Sequence, residues 1–167
     1  MLAVLILLLG ILSRIVFHVP NFTPVLALAL FGGTFLKKKV ALIVPVGLMV
    51  VSDLFLGLHE VVLFTWGSVA LIAGMGLLLR RRKTPLGIAG FSLAAALAFF
   101  IITNFGAWLV MYPLTWAGFK NCYWAAIPFY RQTLLSTFIY SAVFFGVYEL
   151  SAVFIRKTRY ADLLLTA

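Results

Sequence analysis

Acidic residues are scarce in this sequence. Of 167 residues only 4 are Asp or Glu, against 13 Lys and Arg, and charged residues of both signs make up 10%. A soluble domain is about half apolar and about a quarter charged. This chain is 65% hydrophobic, with a mean hydropathy of +1.17. A soluble fold of this length could not hide that much hydrocarbon, so composition points to an integral membrane protein. With 1 Cys the chain cannot form an intramolecular disulfide. It lacks GxxxxGK[ST], so it does not hydrolyse ATP through a P-loop of its own. HExxH, GxSxG and CxxC are also absent. Cys122 has no base near it in sequence, since both His are remote, and no enzyme activity is expected. No internal repeat or low-complexity linker divides the chain.

What is present is a series of long apolar runs. A transmembrane helix needs roughly 20 apolar residues. Membrane β-strands would alternate apolar and polar positions, and these runs do not. The sequence therefore predicts an all-α polytopic membrane protein, a bundle of six transmembrane helices in a single domain over 1–167. The expected helices are 1–17, 23–36, 40–58, 61–79, 86–111 and 133–155, with an outer loop at 112–132. The first run has no basic residue before it and no small-x-small site after it, so it reads as a retained helix rather than a signal peptide. Pro20 and Pro24 suit a boundary between the first two helices, and Pro45 with Gly47 suits a kink in the third.

Basic residues cluster after the second, fourth and sixth runs, at 37–39, 80–83 and 156–159. Ten of the thirteen Lys and Arg lie there, which makes that side cytoplasmic and places both termini on it. The net charge of +9 is thus a topology signal rather than a nucleic-acid signal. The segments HVPNFTP, His59–Glu60 and 112–132 then face outward.

Polar residues inside membrane helices are costly and usually functional. Arg14, Asp53, Asn104 and Arg131 fall at one level in the outer half, on four different helices. They either line a ligand site or, for Arg14 and Asp53, form a structural ion pair; Arg14 could also snorkel to the headgroups. Glu149 lies in the inner half and reads as snorkelling inward or pairing with Arg156 or Lys157. His18 and His59 sit near the outer interface; two His without a third ligand do not define a metal site. The segment 112–132 holds Trp116, Cys122, Tyr123, Trp124, Phe129 and Tyr130. It reads as an interfacial aromatic belt or as a stacking lid over the site. Its length favours a function, because long connections without one are uncommon. Ala29 and Gly33 are spaced as small-xxx-small, which permits close helix contact.

Three stretches, RIVFHVPNFTPVLALALFGG, SDLFLGLHE and NCYWAAIPFYRQTL, resemble an uncharacterised family of small bacterial membrane proteins ascribed to transport. That family is in turn similar in architecture to the S components of energy-coupling-factor (ECF) vitamin transporters. The resemblance implies a six-helix protein of a bacterial inner membrane that binds a vitamin or similar nutrient at its outer face. An ECF-type transmembrane subunit and ATPases would then drive uptake. It directs attention to His18, Asn21, Asp53, His59 and the segment from Asn121 to Arg131, and makes Ala29 and Gly33 a partner-docking surface. Cobalamin held through Cys122 is one ligand the resemblance offers; no other cofactor and no nucleic acid is implied. S components often carry Gly-Asp where this chain has Ser136-Thr137.

The candidate ligand-binding set is therefore Arg14, His18, Asn21, Asp53, His59, Asn104, Trp108, Asn121, Cys122, Tyr123, Trp124, Phe129 and Arg131. The alternatives are an accessory membrane subunit without its own ligand and a self-contained secondary carrier.

Overall fold

The computed structural model describes residues 1–16 and 21–165. Among them are seven α-helices and no strand: α1 Leu2–Val16, α2 Val25–Phe35, α3 Ile43–Leu56, α4 Val62–Leu79, α5 Pro85–Met111, α6 Trp116–Ile155 and α7 Ala161–Leu165. Three of these, α4, α5 and α6, are long and apolar enough to cross a membrane, not six. At 1.5 Å per residue, the 15, 11 and 14 residues of α1, α2 and α3 reach only about 23, 17 and 21 Å.

The centre of the bundle is α2. Every residue from Val25 to Thr34 is buried. A helix that is apolar on all sides belongs in an interior, and α1, α3, α4, α5 and α6 all pack around it. On one side the Phe31 ring meets Phe144, Phe145 and Tyr148 of α6 edge-on, at centroid distances of 6.2, 5.4 and 5.7 Å. On the other, the backbones of α2 and α4 nearly touch. A Cβ on Gly33 would overlap the Ala73 carbonyl, and one on Gly76 would overlap the Leu30 carbonyl. Thr34 Oγ1 ties the crossing by donating to the Leu30 carbonyl at 2.7 Å and the Gly76 carbonyl at 3.1 Å.

This corrects the reading of Ala29 and Gly33 as a docking surface. Ala29 is fully buried and Gly33 lies under α4. Small-xxx-small spacing does bring helices close, but here the partner is a helix of the same chain.

Arg80, just past α4, closes the C-terminal end of α2. Its Nε donates to the Gly33 carbonyl at 2.9 Å and its Nη2 to the Leu36 carbonyl. A cation is favoured at a helix C-terminus, and the last carbonyls need a donor. Burial pulls the guanidinium pKa down from the usual arginine range. Lys83 Nζ lies 5.3 Å from the Phe35 ring, and Phe35 lies 3.8 Å from Tyr148 of α6. The Met1 ammonium donates to the Leu164 carbonyl of α7 at 3.0 Å. The basic clusters and both ends of the described chain thus gather at one pole.

The second correction concerns 112–132, expected as a loop, with the sixth helix beginning at 133. The connection is only 112–115, and α6 runs unbroken for 40 residues. Tyr112–Pro113 stops α5, because a residue before Pro avoids the helical region. Thr115 then caps α6, its Oγ1 accepting from the Gly118 amide at 3.1 Å. Pro128 sits inside the helix; it removes one backbone bond, a loss that membrane helices accommodate. The connection between α3 and α4 is short. Gly57 ends α3 with φ 102°, a backbone conformation that glycine adopts without strain.

Candidate functional site

A buried ion pair lies near the pole opposite the basic clusters. Arg14 donates to Asp53 Oδ1 at 2.7 Å, with the two side chains 11% and 2% exposed. Its other terminal nitrogen donates to Ser52 Oγ and approaches Met49 Sδ at 3.0 Å. Trp66 Nε1 donates to the remaining carboxylate oxygen of Asp53 at 2.8 Å. Helices α1, α3 and α4 each contribute a member. Ionised groups can be buried this deeply only when both charges are paired and hydrogen-bonded. Arg14 Nε is the one buried side-chain nitrogen or oxygen among the described residues without a partner.

Arg14 also lines a cavity of about 300 Å³ beside this network. Helices α1 to α6 all reach it: Arg14 from α1, Leu26 from α2, Met49 from α3, Thr65 from α4, Phe99 and Thr103 from α5, Thr133 and Ser136 from α6. The connections contribute Asn21, Thr23, His59 and Val61. Asn21 has φ 59°, a left-handed conformation that Asn tolerates better than most side chains. The hydroxyls of Thr65, Thr103, Thr133 and Ser136 donate to carbonyls of their own helices at 3.3, 2.8, 3.2 and 2.9 Å. A hydroxyl whose hydrogen is committed offers its lone pairs, so this wall is suited to a ligand bearing N–H or O–H donors. Phe99, Met49 and Leu26 supply apolar contact.

A second hollow of about 150 Å³ adjoins the first, sharing Asn21, Phe99, Thr103 and Thr133 and adding Asn104, Phe129 and Tyr130 among others. Of the sequence candidates, Arg14, Asn21, His59, Asn104 and Phe129 therefore line the two hollows, and Asp53 stands behind Arg14. His18 lies outside the described residues.

The remaining candidates go elsewhere. Trp108 packs edge-on against Phe119 at 5.3 Å and donates to the Pro113 carbonyl at 3.2 Å. Cys122 is buried between helices, its thiol 3.4 Å from the Asn104 carbonyl. Tyr123 donates to the Ile101 carbonyl at 2.7 Å. All three thus staple α5 to α6. Trp124 is 78% exposed, and Asn121, Tyr123 and Trp124 border a separate open hollow on the flank of α6. Arg131 is exposed. The lid reading assumed a loop free to fold over the site. Helical geometry instead distributes these residues around α6, and neither Trp124 nor Arg131 lines the cavity. Among the described residues no three His, Cys, Asp or Glu side chains come together as a metal site.

Sequence reasoning missed Thr65, Phe99, Thr103, Thr133 and Ser136. The available signal was hydroxyl residues recurring at one depth in apolar helices, as in Thr103-Asn104 and Ser136-Thr137.

Fold and site define an all-helical protein with membrane-length apolar helices and a small polar cavity at one pole. Within that class the chain belongs to a family of unknown function, DUF6580, whose sequence profile matches residues 1–161. No curated protein and no solved structure matches the chain.

Proposed function

We propose that the chain is a multi-pass membrane protein that captures a small nutrient in the cavity at its outer pole and passes it inward with partner subunits. The observation that carries this reading is the cavity itself, walled by six helices and holding Arg14, Asn21 and His59 at its surface. Its 300 Å³ is at the small end of ligand sites, which suits a compact donor-bearing molecule.

Several features support a membrane setting with six passes. Large apolar side chains face outward along the bundle, Phe55 at 76%, Leu54 at 65% and Leu150 at 67% exposed. The interior holds Ser52, Asp53, Ser68, Ser92 and Ser141. Polar groups inside and hydrocarbon outside are what a bilayer demands. In this reading α2 crosses within the protein, where non-helical backbone at its ends is tolerated. The basic pole is cytoplasmic by the positive-inside rule. With no P-loop of its own, the chain depends on partner ATPases for energy, as S components of ECF transporters do.

Native mass spectrometry of the purified protein tests the capture step. A small molecule is expected to co-purify, and Thr103→Phe, which fills the cavity, is expected to lose it. A protein that carries nothing would be better described as an accessory subunit, and one that keeps its molecule in Thr103→Phe would bind it outside this cavity.

A further inference from the structure

An apolar groove of about 390 Å³ lies at the other pole, between α5 and α6. Its charges sit together at one end. Lys83 stands just before α5 and Glu149 on the antiparallel stretch of α6, both exposed and not paired with one another. Beyond them the walls are hydrocarbon and small residues as far as Phe138. Ser92 and Ser141 lie at the groove floor, both buried, with the Ser92 hydroxyl donating to Ser141 Oγ at 3.0 Å. Gly146 keeps the groove open: a Cβ there would meet nothing within 4 Å.

From Glu149 to Phe138 is a rise of about 17 Å along a helix. One leaflet of hydrocarbon is about 15 Å thick. The groove thus has the length of a single acyl chain, starts at the basic pole where headgroups lie, and ends near mid-membrane. Its polar end offers one cation and one anion rather than two cations.

We propose that this groove is a binding site for an aminophospholipid of the leaflet at the basic pole. Lys83 takes the phosphate, Glu149 takes the primary ammonium, and one acyl chain lies against Ala142 and Gly146. A lipid with an anionic headgroup would meet Lys83 but be repelled by Glu149. A quaternary ammonium lipid would match in charge but offer Glu149 no N–H to bond.

The test is native mass spectrometry of the full chain with phosphatidylethanolamine, phosphatidylcholine and phosphatidylglycerol of identical acyl chains. Phosphatidylethanolamine is expected to bind about three- to tenfold more tightly than the others, with Glu149→Gln removing that preference. Gly146→Leu is expected to abolish binding of all three while leaving the melting temperature unchanged, because its side chain enters open space. Equal retention of phosphatidylglycerol by the wild-type protein would overturn the headgroup assignment. Absence of any lipid adduct, or a dimer that Gly146→Leu dissolves, would overturn the site. These outcomes are independent of whether the opposite pole binds a nutrient.

Discussion

Asp53 shows how one residue can hold three helices. Its two carboxylate oxygens take Arg14 from α1 and Trp66 from α4. Replacing it by Ala leaves the Arg14 guanidinium buried without a counter-charge, which costs about 3–5 kcal/mol. Asp53→Ala is expected to melt well below the wild-type protein in detergent. The double variant Arg14→Met/Asp53→Leu should recover much of the loss, since an apolar pair of similar size often replaces a buried ion pair without penalty. A single variant as stable as the wild type would show that the pair is solvated. At the same scale, Trp124→Ala should leave cavity occupancy unchanged, because Trp124 stands on the outside of α6. Loss of the bound molecule in that variant would restore the lid.

At the scale of elements, the α2–α4 crossing is the tightest contact. Gly33→Val drives two methyl groups into the Ala73 backbone, which cannot yield as a side chain would. A loss of about 3 kcal/mol or more is expected, read as a lower melting temperature or failure to purify as a single species. Wild-type stability would mean the helices can separate without cost. The same crossing shows what sequence can and cannot say. The apolar runs coincide with α1 to α5, because continuous hydrocarbon bounded by Lys, Arg and Pro leaves little choice of element. The pairing of Arg14 with Asp53 was also legible, as two opposite charges at one depth in a chain with few charges. Which way Gly33 faced was not, since spacing gives a helix face but not its neighbour. The start of α6 was misjudged because Pro128 and a run of polar residues suggested a loop, while the cap at Thr115 carried the contrary signal. The hydroxyl wall was overlooked because a Thr in an apolar helix so often bonds only its own backbone, as these do.

For the whole molecule, the proposed orientation makes a direct prediction. In a Cys122→Ser background, Asn121→Cys and Lys38→Cys place single thiols at opposite poles. A membrane-impermeant maleimide applied to intact cells is expected to label position 121 and to reach position 38 only after permeabilisation. Labelling of both from outside would overturn the topology. The hairpin of α5 and α6 also has a size of its own. Forty residues of α6 make a rod of about 60 Å, twice the hydrocarbon thickness of about 30 Å. Under the proposed membrane setting its first turns, with Trp116 stacked on Phe119 at 5.3 Å, would stand clear of the hydrocarbon.

The enclosure of α2 has a consequence for how the protein is made. This helix leaves the ribosome before α4 and α6, which later surround it. Until α4 follows, Arg80 is not there to take the Gly33 and Leu36 carbonyls, and the flank of Phe31 waits still longer for α6. Helix α2 is thus among the last of these helices to be fully enclosed, its α4 flank closing first and its Phe31 flank only when α6 has followed.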